Sequence, residues 1–267
     1  MNLEGARVVL RTRTPSEIFD LAVRFCASIG LSLYIKLGAL VLLPCMIATG
    51  LFHFYGADRE WELTWMFAAA LAAFAQSVFT VAASRLLFEA KPGVGGVLLH
   101  SLRRLPALVG ALLVHGVLLF FGMFVIVGSF FVWIHHTFLY EAVLLEQQGP
   151  VDAIRRAGAL MKRKFGTGLV VCAGSAIIVL LFIVCAEALG QGLVSFVLQL
   201  GKPFGELSED NGSPYAVIGC FAALPLVATA RFLSYIDGRT RQDGWDIQLR
   251  FMSLAAGHDS DAEEARR

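Results

Sequence analysis

Residues 106–147 contain two charged side chains, Glu141 and Glu146, and no lysine or arginine. One helix over some 40 residues would reach about 60 Å, twice the roughly 30 Å of hydrocarbon in a bilayer. The segment must therefore fold back. Gly122–Gly128 offer the turn, which gives crossings over 106–125 and 129–147. Leu37–Tyr55, Trp65–Leu87, 166–188 and Tyr215–Tyr235 are also apolar and long enough to cross, so the sequence predicts six spans. Only 16% of the residues are charged, against roughly 25% in soluble domains, and mean hydropathy is +0.69. A soluble fold is excluded. The net charge of +1 also argues against a polyanion binder.

Six spans put 20 of the 22 Lys and Arg residues on one side, leaving only Arg59 and Lys202 on the other. Basic residues are retained on the cytoplasmic face, so this bias predicts that both termini are cytoplasmic. Met1–Arg13 lack the apolar core of a cleavable signal, so the first span is expected to direct insertion. The sequence divides into a cytoplasmic arm (1–14), a membrane domain (15–252) and a polar tail (253–267) expected to be disordered.

Three amphipathic stretches precede pairs of spans. Thr14-Pro15-Ser16-Glu17 has the spacing of a capping box with proline in the first turn. The helix predicted from it, 15–33, places Ile18, Leu21, Ala22, Phe25 and Ile29 on one stripe. A short stretch ends at Arg103 and Arg104. A third, 151–165, carries Arg155, Arg156, Lys162, Arg163 and Lys164 opposite Ile154, Ala157, Met161 and Phe165. Glu89-Ala-Lys-Pro-Gly-Val94 and Glu146-Gln-Gln-Gly-Pro-Val151 align at an offset of 57 residues, which suggests an internal repeat. The expected fold is an all-α integral membrane protein, with six transmembrane helices as three hairpins, each preceded by an interfacial amphipathic helix.

The ending Tyr235-Ile-Asp237-Gly-Arg239-Thr-Arg241-Gln-Asp243-Gly-Trp245-Asp246 resembles the closing motif of a group of bacterial multi-span proteins. Glu146–Lys164, with its Gly-Pro and Ala-Ile-Arg-Arg, resembles that group too. The group is similar to the membrane domain of glycerophosphoryl diester phosphodiesterase. The resemblance spans roughly residues 15–250 and rests on short motifs. It implies a six-helix membrane domain without an assigned molecular function, in the bacterial inner membrane. It does not carry over catalysis, because the phosphodiesterase activity of the named enzymes resides in a separate soluble barrel, and no segment of these 267 residues could form one.

Ionisable residues inside spans are functional candidates. His115, His135 and His136 fall there, and with Gln76 they form a candidate intramembrane polar site. His135 and His136 are about 100° apart on a helix and cannot share one face. No metal-ligand spacing links the histidines, so neutral, hydrogen-bonded side chains are the plainer reading and no metal or cofactor is expected. Glu141, Glu146 and Glu187 lie near predicted helix ends, where carboxylates reach the interface, and Arg85 and Glu89 are spaced for a local pair. Arg155, Arg156, Arg239 and Arg241 could contact anionic lipid head groups or a partner protein. Asp237, Asp243 and Asp246 around Trp245 read either as a head-group site or as a charged cap beside an interfacial tryptophan. Cys26, Cys45, Cys172, Cys185 and Cys220 form no C-x-x-C pair and read as small apolar side chains. Nucleic acid is not an expected partner.

The sequence thus favours a non-catalytic scaffold or subunit of an envelope complex, in contact with the bilayer, anionic lipids and other membrane or cytoplasmic proteins. The alternative is a transporter or lipid-handling protein with its site between the hairpins.

Overall fold

The computed structural model describes residues 13–56, 60–89, 91–125, 127–162, 165–201 and 203–242, with side chains given as far as Thr240. Among these residues every regular element is helical. Helix α1 (Pro15–Arg24) starts at the expected capping box: Glu17 N donates to Thr14 Oγ1, and Thr14 N donates to the Glu17 carboxylate. A π-helical turn leads to Gly30, where the chain bends, three residues before the predicted end of this helix. Helices α2 (Leu31–Leu37) and α3 (Leu43–Tyr55), joined by a second π-helical turn, make the first apolar rod.

Then follow α4 (Trp61–Phe88), α5 (Val94–Met123), α6 (Gly128–His135), α7 (Leu139–Leu144), α8 (Pro150–Met161), α9 (Phe165–Gln191), α10 (Leu207–Asp210) and α11 (Pro214–Gln242). Among the described residues, five segments are long and apolar enough to cross a membrane: Leu31–Tyr55, Trp61–Phe88, Val94–Met123, Phe165–Val197 and Pro214–Thr240.

Two expectations change. The basic stretch ending at Arg103 and Arg104 is no separate interfacial helix, because α5 runs unbroken through it with Pro106 inside. Proline removes one donor, but the rest of the helix keeps its bonds. The predicted span 129–147 is two short helices, α6 and α7, interrupted at His136-Thr137-Phe138. The preceding reversal falls where expected. Gly122 and Gly128 touch there, and a Cβ on Gly128 would lie 2.5 Å from the Gly122 carbonyl oxygen, so only glycine permits the approach.

Helix α11 is the centre of the bundle. It packs most extensively on α9 and α4, and also against α1 and α3. Its inward face is made of small residues, Ala216, Ala223, Ala228 and Ala230, interleaved with Phe221 and Phe232. Small side chains let backbones close in where lipid supplies no hydrophobic drive between helices. Gly219 is the tightest approach to a neighbouring backbone: a Cβ there would meet the Phe182 carbonyl oxygen of α9 at 2.4 Å. By contrast α5 and α9 bury little, and Leu113, Phe120, Ile177 and Leu180 face outward. The π-helical turn Gly192–Val197 continues α9, and the segment Leu193–Leu200 is exposed at Phe196 and Val197.

The bundle has two distinct ends. At one, Arg13 N donates to Asp237 Oδ1 at 2.8 Å, and Arg104 reaches the Gln147 carbonyl. At the other, Trp65 Nε1 donates to the Asn211 carbonyl, and Glu187 holds Leu207 N and the Ser213 hydroxyl. The first is called the basic end below.

Candidate functional site: a polar cavity at a helix break

The break between α6 and α7 contains neither proline nor glycine. Thr137 Oγ1 donates to the Ile134 carbonyl at 2.5 Å, a side-chain bond that competes with the helical ladder. The backbone tightens: Thr137 N takes the Ile134 carbonyl and Leu139 N takes the His136 carbonyl. The Thr137 carbonyl is left without a backbone donor, and the Arg231 guanidinium on α11 donates to it instead. Non-helical backbone at membrane depth requires such protein partners.

Arg231 is 17% exposed, and its Nε lies 4.0 Å from Glu141 Oε1. Glu141 has no exposed surface, and neither carboxylate oxygen has a hydrogen-bond partner among the described residues. Arg231 Nε and Gln76 Nε2 are likewise unpaired. Arg231 also lies 5.3 Å from the centre of the Tyr140 ring. A buried ion pair with unmet hydrogen bonds is costly, and buried polar groups are nearly always satisfied.

Arg231, Gln76 and Tyr140 line a cavity of about 270 Å³ between α4, α5, α6, α7, α9 and α11, and Glu141 lies next to Arg231 outside that lining. That is close to the lower end of the roughly 300–1,000 Å³ typical of small-molecule sites. Gln76, His115, His136, Thr137, Ser175 and Arg231 are its polar lining, and Leu112, Leu119 and Trp133 contribute apolar walls. His115 Nδ1 and His136 Nδ1 are 3.1 Å apart. One must donate and the other accept, so a neutral pair holds opposite tautomers. One remaining ring nitrogen is then a donor and the other an acceptor.

Three of the four residues expected in the intramembrane site, Gln76, His115 and His136, therefore meet at one cavity. His135 does not. It packs against α8, where a Cβ on Gly158 would come within 2.8 Å of its Nε2. The helical offset that separates adjacent histidines sends the two rings to different neighbours.

Glu141 departs from the expectation that it reaches the interface: every residue of α7 is buried, and Glu141 fully so. Arg231, counted with the basic end in the sequence, sits inside the bundle. Its place within the predicted span Tyr215–Tyr235 was the signal, since an arginine inside a span is a functional mark in its own right.

At the basic end, Glu146 gathers three side chains. Its Oε2 accepts from Arg156 Nε at 2.7 Å, and its Oε1 accepts from the Tyr235 hydroxyl at 2.6 Å and lies 3.5 Å from Arg239 Nη1. The two motifs that carry the family resemblance thus meet in one cluster. Arg156 and Arg239 are committed to this carboxylate, while Arg155 is exposed beside Asp152 at 3.9 Å. No ion pair joins Arg85 to Glu89 among the described residues. Glu187 is held within the opposite end rather than left free at the interface. The Arg241 side chain, Asp243, Trp245, Asp246, most of the N-terminal arm and the tail 253–267 lie outside the described residues, as do Arg59 and Lys202. No group of three His, Cys, Asp or Glu residues is placed to hold a metal among the described residues.

Against family models, curated proteins and solved structures, the chain finds no match.

Proposed function

We propose that this chain is a transporter or lipid-handling protein that binds a small polar or anionic group inside the membrane, at the cavity around Arg231. The observation that carries this reading is the Arg231–Glu141 pair. It is buried beside a helix break, with unmet hydrogen-bonding groups and a cavity in front of it. Retaining such a pair in an apolar bundle costs stability that a purely structural role would not require. Discontinuous helices framing a polar site near the midplane are a recurrent arrangement for binding solutes within membranes.

In the same reading, α6 and α7 together make the sixth crossing, and the bundle is three hairpins. The stretch 128–145 is just long enough for this, and the charge bias supports it, with both termini in the cytoplasm of a bacterial inner-membrane protein. The action is binding and passage rather than bond-making. A reporter fused to either terminus should report the same, cytoplasmic side. Opposite sides would rule out the sixth crossing.

The scaffold reading stands second. The observation favouring it is the outward apolar face of α9, including Ile177, Leu180 and Leu181, which a partner helix could cover as well as lipid could.

Extraction into native lipid particles, followed by mass spectrometry, separates the two. A small molecule or lipid retained by the wild type and lost from the Arg231→Met/Glu141→Met double variant supports the cavity reading. The double variant removes both charges at once and leaves neither stranded. A stoichiometric protein companion, with no ligand lost from the variant, transfers the assignment to the scaffold.

A further inference from the structure

A second cavity, of about 340 Å³, lies at the basic end between α4, α5, α7 and α11. Buried Val81, Leu144 and Phe232 make it largely apolar. Arg85, His100 and Arg239 supply its basic lining. The three are not equivalent. His100 Nε2 donates to the Leu144 carbonyl at 3.0 Å, and Arg239 is drawn to Glu146. The Arg85 guanidinium makes neither an ion pair nor a side-chain hydrogen bond among the described residues. Glu89, one turn away, also lines the cavity but is exposed and forms no ion pair with Arg85. Arg85 Nη1 lies over Gly96 of α5, where a Cβ would come within 2.6 Å, so the glycine makes room for the guanidinium.

We propose that this cavity binds the phosphodiester head group of an anionic phospholipid, with Arg85 as its principal contact. An unpaired guanidinium offers a planar fork of donors that matches two phosphate oxygens. An apolar floor disfavours a free, fully hydrated phosphate ion but suits the glycerol and acyl carbons that a lipid brings with its phosphate. The adjoining face of α5 exposes Leu99 and Leu102 just before Arg103, so acyl chains can lie on leucine while the head group turns inward. Arg103 and Arg104 add to the attraction for an anionic leaflet. Arg85 thus replaces Arg155, Arg156 and Arg239 as the main head-group contact. Arg156 and Arg239 are already engaged, and Arg155 lies out on the surface with Asp152.

The test is native mass spectrometry of the purified full chain, titrated with phosphatidylglycerol and with phosphatidylcholine of the same acyl chains. The wild type should retain one phosphatidylglycerol per chain in preference to phosphatidylcholine. Arg85→Gln should weaken that retention about tenfold or more, as loss of charge-assisted bonds implies. Arg85→Lys should fall between them, and Arg155→Gln should match the wild type. Gly96→Ala, which keeps the charge but crowds the guanidinium, should also weaken retention, and it serves if Arg85→Gln fails to fold. Equal retention by the wild type and the Arg85 and Gly96 variants overturns the proposal. So does equal retention of the two lipids by the wild type, or stoichiometric displacement of the lipid by inorganic phosphate. Because Arg231 takes no part in this site, the result stands apart from the fate of the intramembrane cavity.

Discussion

Arg231 on α11 donates a hydrogen bond to the carbonyl of Thr137, the residue at which the chain between α6 and α7 ceases to be helical. A cation on the most buried helix thus satisfies a backbone acceptor that the break leaves open. It also stands beside Glu141, so the break, the charge pair and the cavity are a single construction.

If so, the two charges are coupled. Arg231→Met alone should destabilise the protein by ~3–5 kcal/mol, because it strands a buried carboxylate and an unpaired carbonyl. Glu141→Met alone should cost a comparable amount. The double variant should cost clearly less than the sum, and denaturant unfolding in detergent micelles would show it. Additive losses would mean that the two residues act separately.

Glu146 fastens α8 to α11 through Arg156, Tyr235 and Arg239. Glu146→Ala should cost about 2–4 kcal/mol, given that hydrogen bonds to charged groups are worth about 1.5–3 kcal/mol each and the cluster is partly solvated. Limited proteolysis at Gln147–Gly149 should accelerate in parallel, and its rate is the second measurement. Glu146→Gln should retain part of the stability by keeping one acceptor for Tyr235.

Gly219 sets the distance between α9 and α11. Its missing Cβ would meet backbone atoms, which cannot swing aside: the Phe182 carbonyl oxygen at 2.4 Å and Ile183 Cα at 2.7 Å. Gly219→Ala should destabilise by about 1–3 kcal/mol and Gly219→Val by more, despite the gain in helix propensity. Thermal unfolding checks the order. Gly116 on α5 meets nothing within 4 Å, and Gly116→Ala should be neutral or mildly stabilising.

Cys26 is held at the α1–α2 junction, where its thiol donates to Thr229 Oγ1 at 3.4 Å. Burial pushes its pKa above the ordinary thiol value, and the bond to Thr229 only partly opposes this. A raised pKa means less thiolate at a given pH, so alkylation of Cys26 at pH 8 should be slower in the folded protein than in the denatured chain. Raising the pH should speed Cys26 over a higher range. Peptide mapping after timed alkylation reads both rates, and equal rates would show that the α1–α11 contact opens freely.

An all-helical fold and most of its long apolar helices are legible in the residues alone. Apolar runs as long as a bilayer crossing point to helices able to span one, because a helix satisfies its own backbone in hydrocarbon. Thr14 and Glu17 announce a helix start, and Gly122 and Gly128 mark the reversal between α5 and α6, because each depends on local chemistry. Gln76, His115 and His136 were candidates for the same kind of reason, being polar residues in apolar runs.

Other features depend on residues far apart in the chain. The interruption at Thr137 has neither proline nor glycine, and the carbonyl it frees is taken by Arg231, 94 residues away. Whether Glu141 reaches water or is buried, whether His135 or His136 faces the cavity, and whether Arg85 or Arg155 is the unpaired cation all depend on which helices become neighbours. Helix-to-helix packing of this kind is carried by small residues and van der Waals fit, which leave little periodic mark in a uniformly apolar sequence.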